Sequence, residues 1–277
     1  MSRILVVDDD RATLRLLEGV LSRAGFTVAT AGDGLDAKER LRRGRFDLVL
    51  ADVWMPRMNG IELMASLRGR KVQPRVVVMT SDDTPETLLK AVREQACRYV
   101  HKPIDPVQLV ETLREVLAAG GPPLPIEVVS ARPEWVELVV PCTRASAARI
   151  EDVMRHLEAD LTEEIRESVS SAFRELLLNA IEWGGGLDPE RKVRIACLRA
   201  GRMILYRIAD PGPGFDPERL EHAAAGRAED DPIGHVAVRQ EKGIRPGGFG
   251  LVMVKAQVDE LIYNERRNEV VFVKYLE

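Results

Sequence analysis

The sequence predicts an α/β protein in two parts: an N-terminal doubly wound (βα)5 domain and an α+β sandwich behind it. Over residues 1–119 short apolar runs alternate with amphipathic stretches, the pattern of βα units in series. Ala119-Gly120-Gly121-Pro122-Pro123-Leu124-Pro125 then interrupts every periodicity, and Gly and Pro at that density suit a linker. From residue 134 onward strands and helices follow without strict alternation, which suggests helices on one face of a sheet. The predicted division is residues 1–119, a linker over 120–133, and a second domain over 134–277.

In the first domain Ile4–Val7, Thr27–Ala29, Leu48–Ala51, Val76–Met79 and Tyr99–Val100 read as buried strands. Helical patterns separate them, for example Leu14, Leu17, Glu18 and Leu21, or Val107, Val110, Leu113 and Leu117. Five such units imply a parallel sheet with right-handed crossovers. In the second domain Trp135–Val140 reads as a strand, and Ala147–Leu161 and Glu163–Trp183 as helices. Strands follow at Lys192–Leu198 and Met203–Ala209. After a long irregular segment come a helix over Gly250–Glu260 and a final strand Val270–Leu276.

A length of 277 residues suits two domains. With 45% hydrophobic and 30% charged residues, each part can bury a core. The formal net charge of −4 argues against a nucleic-acid or anionic-membrane binder driven by bulk charge. Arg40-Leu41-Arg42-Arg43 reads as a solvated helix face. Cys97, Cys142 and Cys197 lie far apart with no CxxC or Cys/His spacing, against a disulfide framework or a zinc site. The first apolar run is too short for a signal peptide, and no stretch approaches the roughly 20 apolar residues that span a bilayer. A cytoplasmic, soluble protein is expected.

Parallel doubly wound sheets place functional groups at the C-terminal ends of their strands. Asp8 and Asp9 close the first strand here and Asp52 the third. Three converging carboxylates need a cation, and hard oxygen ligands suit Mg²⁺. Thr80 ends the fourth strand and Lys102, before Pro103, the fifth; each offers a donor to phosphate oxygen beside a metal-bound carboxylate. The bland alternative makes these acids loop caps. Val6-Val7-Asp8-Asp9, Asp52-Val53-Trp54-Met55-Pro56-Arg57-Met58-Asn59-Gly60, Met79-Thr80-Ser81 and Tyr99-Val100-His101-Lys102-Pro103 together resemble response-regulator receiver domains, with their flavodoxin-like fold. The resemblance implies that Asp52 is the phosphoacceptor and that Asp8 and Asp9 hold Mg²⁺ with the Trp54 carbonyl. It implies that Thr80 and Lys102 contact the phosphoryl group, that Tyr99 is the aromatic switch residue, and that a cognate sensor histidine kinase is the donor. Gln95-Ala96-Cys97-Arg98 departs from the family, which often has Gly-Ala and an acidic residue there. His101 reads as a strand-end surface residue.

In the second domain Glu175 and Asn179 are four residues apart and share a helix face. The Asn oxygen can ligate Mg²⁺ on ATP phosphates, and the Glu carboxylate can orient or deprotonate a nucleophile. Asp210 ends a strand and can accept from an adenine amino group, while Gly212 and Gly214 let the backbone turn and approach a base; read blandly, Asp210–Gly214 is a proline-rich turn. Gly247-Gly248-Phe249-Gly250 precedes a helical stretch whose N–H groups form an anion site. Ser168, Ser170 and Ser171 read as helix surface, and His156 as a surface residue.

In this order the three motifs resemble the ATP site of the GHKL (Bergerat-fold) ATPases. Leu176-Leu177-Leu178-Asn179-Ala180-Ile181-Glu182-Trp183-Gly184 and Val270-Val271-Phe272-Val273-Lys274-Tyr275-Leu276 are similar to the N-box and last strand of the anti-sigma-factor (SpoIIAB/RsbW-like) serine kinases. That resemblance implies Mg²⁺ and ATP as cofactors, Glu175 as catalytic base and Asn179 as Mg²⁺ ligand. Asp210 would bind adenine, with Gly212, Gly214, Gly248 and Gly250 shaping the pocket. Trp183 stands where these kinases commonly carry histidine, at a packing position. Residues 226–246 form a long expected lid with Asp230, Asp231, His235, Lys242 and Arg245; Lys242 or Arg245 either reaches the γ-phosphate or is a solvated charge.

The expected function is that of a bacterial two-component response regulator. Phosphorylation on Asp52 would control an ATP-binding output domain acting as an anti-sigma-like protein serine/threonine kinase on an anti-sigma antagonist or a sigma-factor-like partner. The alternatives are a non-catalytic, nucleotide-dependent partner-binding module, and a histidine-kinase-like catalytic domain acting on a separate protein. No nucleic-acid or membrane partner is expected, and homodimerisation is compatible with both resemblances.

Overall fold

A computed structural model describes residues 1–68, 73–81, 84–119, 123–132, 134–158, 160–215 and 250–276. The expected lid 226–246 and the turn Gly247-Gly248-Phe249 lie outside these residues, as do parts of the expected linker. The chain divides into two units, Met1–Pro125 and Ile126–Glu277.

The first unit alternates strand and helix without exception. Its strands are β1 (Arg3–Val7), β2 (Thr27–Ala31), β3 (Leu48–Asp52), β4 (Arg75–Thr80) and β5 (Arg98–His101). Its helices are α1 (Arg11–Arg23), α2 (Gly34–Arg43), α3 (Gly60–Leu67), α4 (Pro85–Arg93) and α5 (Pro106–Ala118). All pairs are parallel and the order is β2-β1-β3-β4-β5, so the chain reverses its winding between β1 and β3. In such sheets the crevice beyond the strand ends at that switch point receives the functional groups. Both sheet faces are apolar because helices cover both. Ile4, Val6, Leu48, Leu50, Val77 and Met79 pack against Leu17 and Leu21 of α1 and Leu109 and Leu113 of α5, while Leu5, Val7 and Val49 are buried on the other face.

Helix starts are written in the sequence. Asp10, Asp33 and Asp105 cap α1, α2 and α5, and Asn59 with Glu62 forms a capping box on α3, each satisfying N–H groups that lack an intrahelical partner.

The second unit is an antiparallel sheet under helices. Its strands are β6 (Glu127–Arg132), β7 (Trp135–Pro141), β8 (Lys192–Ala200), β9 (Met203–Ala209), β10 (Glu260–Tyr263) and β11 (Glu269–Tyr275), in the order β10-β11-β9-β8-β7-β6. Helices α6 (Arg144–Leu157), α7 (Glu163–Asn179) and α8 (Gly250–Gln257) complete it. Alternate residues Val136, Leu138, Val193, Ile195, Ile204, Ile208 and Val270 are buried, the period of two that a one-sided sheet requires. Tyr206 lies between Phe173 of α7 and Phe272 of β11, both ring centroids 5.0 Å away.

Three expectations change. The segment expected as linker supplies β6, an edge strand paired with β7 through a register shift at Val128/Ser130. The last helix stops at Gln257 instead of Glu260, because the Asp259 N–H turns to the Val273 carbonyl and the chain enters β10. The long helix after Glu163 loses α-helical geometry after Asn179. A π-helical turn, Ala180–Gly184, follows, closed by Gly185 N–H on the Ala180 carbonyl at 2.8 Å.

Candidate functional sites

At the C-terminal edge of the first sheet Asp8, Asp9 and Asp52 bring carboxylate oxygens within 4.8 Å of one another. Asp8 and Asp52 are buried and Asp9 is exposed. Lys102 donates to Asp8 Oδ2 at 2.9 Å and to Asp52 Oδ2 at 2.5 Å. The Trp54 N–H donates to Asp52 Oδ1 at 3.2 Å. Thr80 is fully buried at the end of β4, and its carbonyl receives the Lys102 N–H at 2.9 Å. Gly60 N–H bonds to the Val53 carbonyl at 3.0 Å, and no side chain would fit between Gly60 and the Asp52 carbonyl.

Of the run Asp8-Asp9-Asp10, only Asp10 is a cap: it accepts from the N–H groups of Ala12 and Thr13, each at 3.1 Å. The Thr13 hydroxyl and these caps hold Asp10 below its ordinary value. Burial raises Asp52 above the usual carboxylate value and Asp8 adds to that, with Lys102 and the Trp54 N–H opposing. Burial works against the Lys102 charge, yet its bonds to Asp52 and Asp8 outweigh it and Lys102 is held above its ordinary value. The same ion pair lifts Lys102 without bringing Asp52 down, because burial of the Asp52 carboxylate outweighs the ammonium beside it. One cation among three carboxylates leaves a net negative cluster of oxygen donors, and such a set fits Mg²⁺. Tyr99 is buried on β5, and His101 is exposed at its end.

In the second unit a cavity of about 300 Å³ is lined by Glu175, Asn179, Asp210, Gly214 and Gly250, together with Trp183, Phe215, Tyr263 and others. Glu175 and Asn179 lie one turn apart on α7, the Asn179 amide donating to Glu175 Oε1 at 3.2 Å. Gly250, at the start of α8, abuts the Glu175 carboxylate so closely that a Cβ would collide with it. Asp210 directly follows β9 and accepts the Gly212 N–H at 2.7 Å. Burial raises Asp210 above its usual value, while that N–H and Arg191 pull the other way.

The turn after Asp210 is braced from both sides. Arg191 donates to the Pro211 carbonyl at 2.7 Å, and the Asn268 amide reaches the carbonyls of Asp210 and Gly212, each at 3.3 Å. Gly214 has φ +87° and sits against the Arg266 carbonyl, a backbone conformation and a clearance that only glycine meets. The cavity therefore combines carboxylates and amides with aromatic and aliphatic groups in its lining, the mixture expected of a small-molecule site. A nucleotide fits this donor set: Asp210 for a base amine, Asn179 for a phosphate-bound cation. Gly248 lies outside the described residues.

Trp183, expected at a packing position, is 44% exposed and lines the cavity; the π-helical turn carries it there, and such turns recur at functional sites. Ser170, expected on the surface, donates to the buried Glu158 at 2.8 Å. His156, also expected there, is half-buried with Nδ1 2.6 Å from the Asp152 carbonyl. The sequence reading missed Tyr263, Arg267 and Asn268. Their strand and turn were hidden because four-residue β10 is too short to show a period; the pair of asparagines Asn264 and Asn268 bounding the charged triad Glu265-Arg266-Arg267 was the available sign of a turn.

Comparison with known proteins divides the chain where the structure does. The family described as response regulator receiver domain matches residues 4–114, and that described as histidine kinase-like ATPase domain matches residues 140–274. The DNA-binding response regulator MtrA of Mycobacterium tuberculosis (strain ATCC 25618 / H37Rv) is 34% identical over 183 residues, 66% of this chain and 78% of that protein. The transcriptional regulatory protein ZraR of Klebsiella oxytoca is 39% identical over 115 residues; the match spans 42% of this chain and 26% of ZraR. The solved chemotaxis response regulator CheY4 of Vibrio cholerae has 31% identity and a TM-score of 0.40, covering 42% of this chain and 98% of that one. No helix among the described residues is long and apolar enough to cross a membrane. The chain belongs to the response regulators, with a receiver domain followed by a histidine kinase-like ATPase domain.

Proposed function

We propose that phosphorylation of Asp52 by a cognate sensor histidine kinase controls an ATP-binding output domain that acts as a protein serine/threonine kinase of the anti-sigma type. Its partner would be an anti-sigma antagonist or a sigma-factor-like protein. In the receiver, Asp8, Asp9 and Asp52 would hold Mg²⁺, which neutralises charge on an incoming phosphoryl group. The Asp52 carboxylate would accept that group, and Lys102 and Thr80 would bind its oxygens. In the ATPase domain Glu175 would orient and deprotonate a partner hydroxyl, and Asn179 would hold the Mg²⁺ of bound ATP. Asp210, with Gly212, Gly214, Gly248 and Gly250 around the pocket, would fix the adenine. The observation that carries the reading is one cavity lined by Glu175, Asn179 and Asp210, in a chain that also gathers Asp8, Asp52 and Lys102.

The test is titration of Mg-ATP into the purified protein, with and without beryllofluoride as a mimic of phosphorylated Asp52. Binding should shift with beryllofluoride, disappear in Asp210→Asn, and lose the shift in Asp52→Ala. Equal output from Asp52→Ala and the phosphorylated wild type would refute the regulatory link. The hydrogen bond between Asn179 and Glu175 favours a second reading, a nucleotide-dependent docking module that transfers no phosphate. Glu175→Gln separates the two: the kinase reading requires loss of phosphotransfer with ATP binding kept.

A further inference from the structure

The Tyr263 hydroxyl is buried and has no hydrogen-bond partner among the described residues. An unsatisfied buried hydroxyl is costly, about 1–3 kcal/mol, so each one in a folded protein asks for an account. Tyr263 is the last residue of β10 and lines the same cavity as Asp210, Glu175 and Asn179. Its ring is held edge-on against Phe215, centroids 5.6 Å apart and planes at 90°, a favoured aromatic geometry. Burial pushes the phenol up to about 12, with Arg267 opposing. At neutral pH the group is therefore a fixed O–H, able to donate or accept.

Asp210 supplies the complementary half. Gly212 N–H occupies its Oδ1 at 2.7 Å, which leaves Oδ2 to accept from a ligand. A carboxylate acceptor and a phenol donor lining one cavity suit a base edge with an amine beside a ring nitrogen. Adenine has that edge, with the N6 amine next to an unprotonated ring nitrogen; guanine places the O6 acceptor where the amine would be. From this we infer that Tyr263 is a base-reading residue of the nucleotide pocket, donating its hydroxyl to an adenine ring nitrogen while Asp210 takes the N6 amine. The inference rests on the nucleotide reading of the cavity and adds the group that discriminates between purines.

The experiment is calorimetric titration of the full chain with ATP, GTP, 1-deaza-ATP and 7-deaza-ATP, using wild type, Tyr263→Phe and Asp210→Asn. Phenylalanine keeps the ring and its contact with Phe215 and removes only the hydroxyl. Tyr263→Phe should weaken ATP about three- to tenfold, the worth of one neutral hydrogen bond, and leave GTP unchanged. Wild type should bind one of the two deaza analogues more weakly than ATP by a similar factor, and Tyr263→Phe should erase that preference. Equal weakening of ATP and GTP would mean that the hydroxyl only supports the wall, and would overturn the inference. So would an unchanged ATP affinity in Tyr263→Phe alongside a loss in Asp210→Asn, an outcome that leaves the nucleotide reading standing. Failure of wild type to bind any of the four would remove that reading, and this one with it.

Discussion

Lys102 is the sole cation hydrogen-bonded to Asp8 and Asp52 among the described residues, and its removal separates what the ammonium does from what a metal would do. Stripping the partner from a buried charge pair costs on the order of 3 kcal/mol, and here two buried carboxylates would lose it together. Lys102→Met should therefore lower stability by about that amount in chelator-treated buffer, read by urea denaturation. Millimolar Mg²⁺ should restore most of the loss if the three aspartates form a cation site, because a ligand that binds only the native state stabilises it by mass action. Equal destabilisation with and without Mg²⁺ would count against metal binding there. The gathering of Asp8, Asp9 and Asp52 at one sheet edge was legible because strand ends in a parallel sheet are fixed by the apolar runs before them. The cap at Asp10 was not read from the sequence, since capping depends on where α1 begins, and the bonds from Ala12 and Thr13 reveal it. Gly214 offers a second check. With φ +87° and the Arg266 carbonyl against it, Gly214→Ala should cost at least 2 kcal/mol, on the order of the strain in a disallowed turn, and should weaken nucleotide binding through the displaced turn.

The two central helices of the second unit enclose a polar group that no pattern announced. Glu158, just beyond α6, is 2% exposed and accepts hydrogen bonds from Tyr206 of β9 and Ser170 of α7. Burial raises its carboxyl to about 7, against the bonds from Tyr206 and Ser170 and the charges of Arg155 and Arg166. Cys197, pushed up to about 12 by burial, faces the same group and stays a neutral thiol. In the unfolded chain Glu158 titrates near 4.5. Between that value and about 7 the native state keeps a proton that the unfolded state has lost, so stability falls as pH rises and levels off above about 7. The full change is on the order of 3 kcal/mol, from the difference of the two values at 1.36 kcal/mol per unit. Glu158→Gln keeps an acceptor for Tyr206 and should flatten this slope, with melting temperatures at pH 5 and pH 8 drawn closer together than in wild type. An unaltered slope would place the titration elsewhere. Glu158 follows an ordinary amphipathic helix and precedes Asp160, which is exposed and paired with Arg199; no sequence periodicity distinguishes the buried acid from the exposed one. The same limit hid β6 and β10. Edge strands are half-exposed, so β6 (Glu-Val-Val-Ser-Ala-Arg) carries no alternation, and its register shift at Val128/Ser130 breaks what pattern there is.

Two units with separate cores, one built on a parallel sheet and one on an antiparallel sheet, predict that ligands of the two sites act on different parts of the unfolding curve. Each sheet buries its own apolar rows, so each unit can unfold as a cooperative block, and a single free energy for the whole chain would not be defined. Beryllofluoride with Mg²⁺ should raise the transition of the unit that contains Asp52. ATP should raise the transition of the unit that contains Asp210, by about 2.7 kcal/mol at a hundredfold excess over its dissociation constant. Calorimetry of the full chain, with Asp52→Ala and Asp210→Asn as controls that each silence one ligand, reads both shifts at once. Regulation adds a stricter requirement. If the state of Asp52 alters ATP affinity by some factor, ATP must alter the affinity for beryllofluoride by the same factor, because coupling between two binding sites is reciprocal. The shift produced by both ligands together should then differ from the sum of the separate shifts by the coupling free energy, 1–3 kcal/mol in typical cases. Strict additivity would mean that the receiver and the ATPase share a chain without sharing a switch, and the signal would have to pass through a partner that touches both.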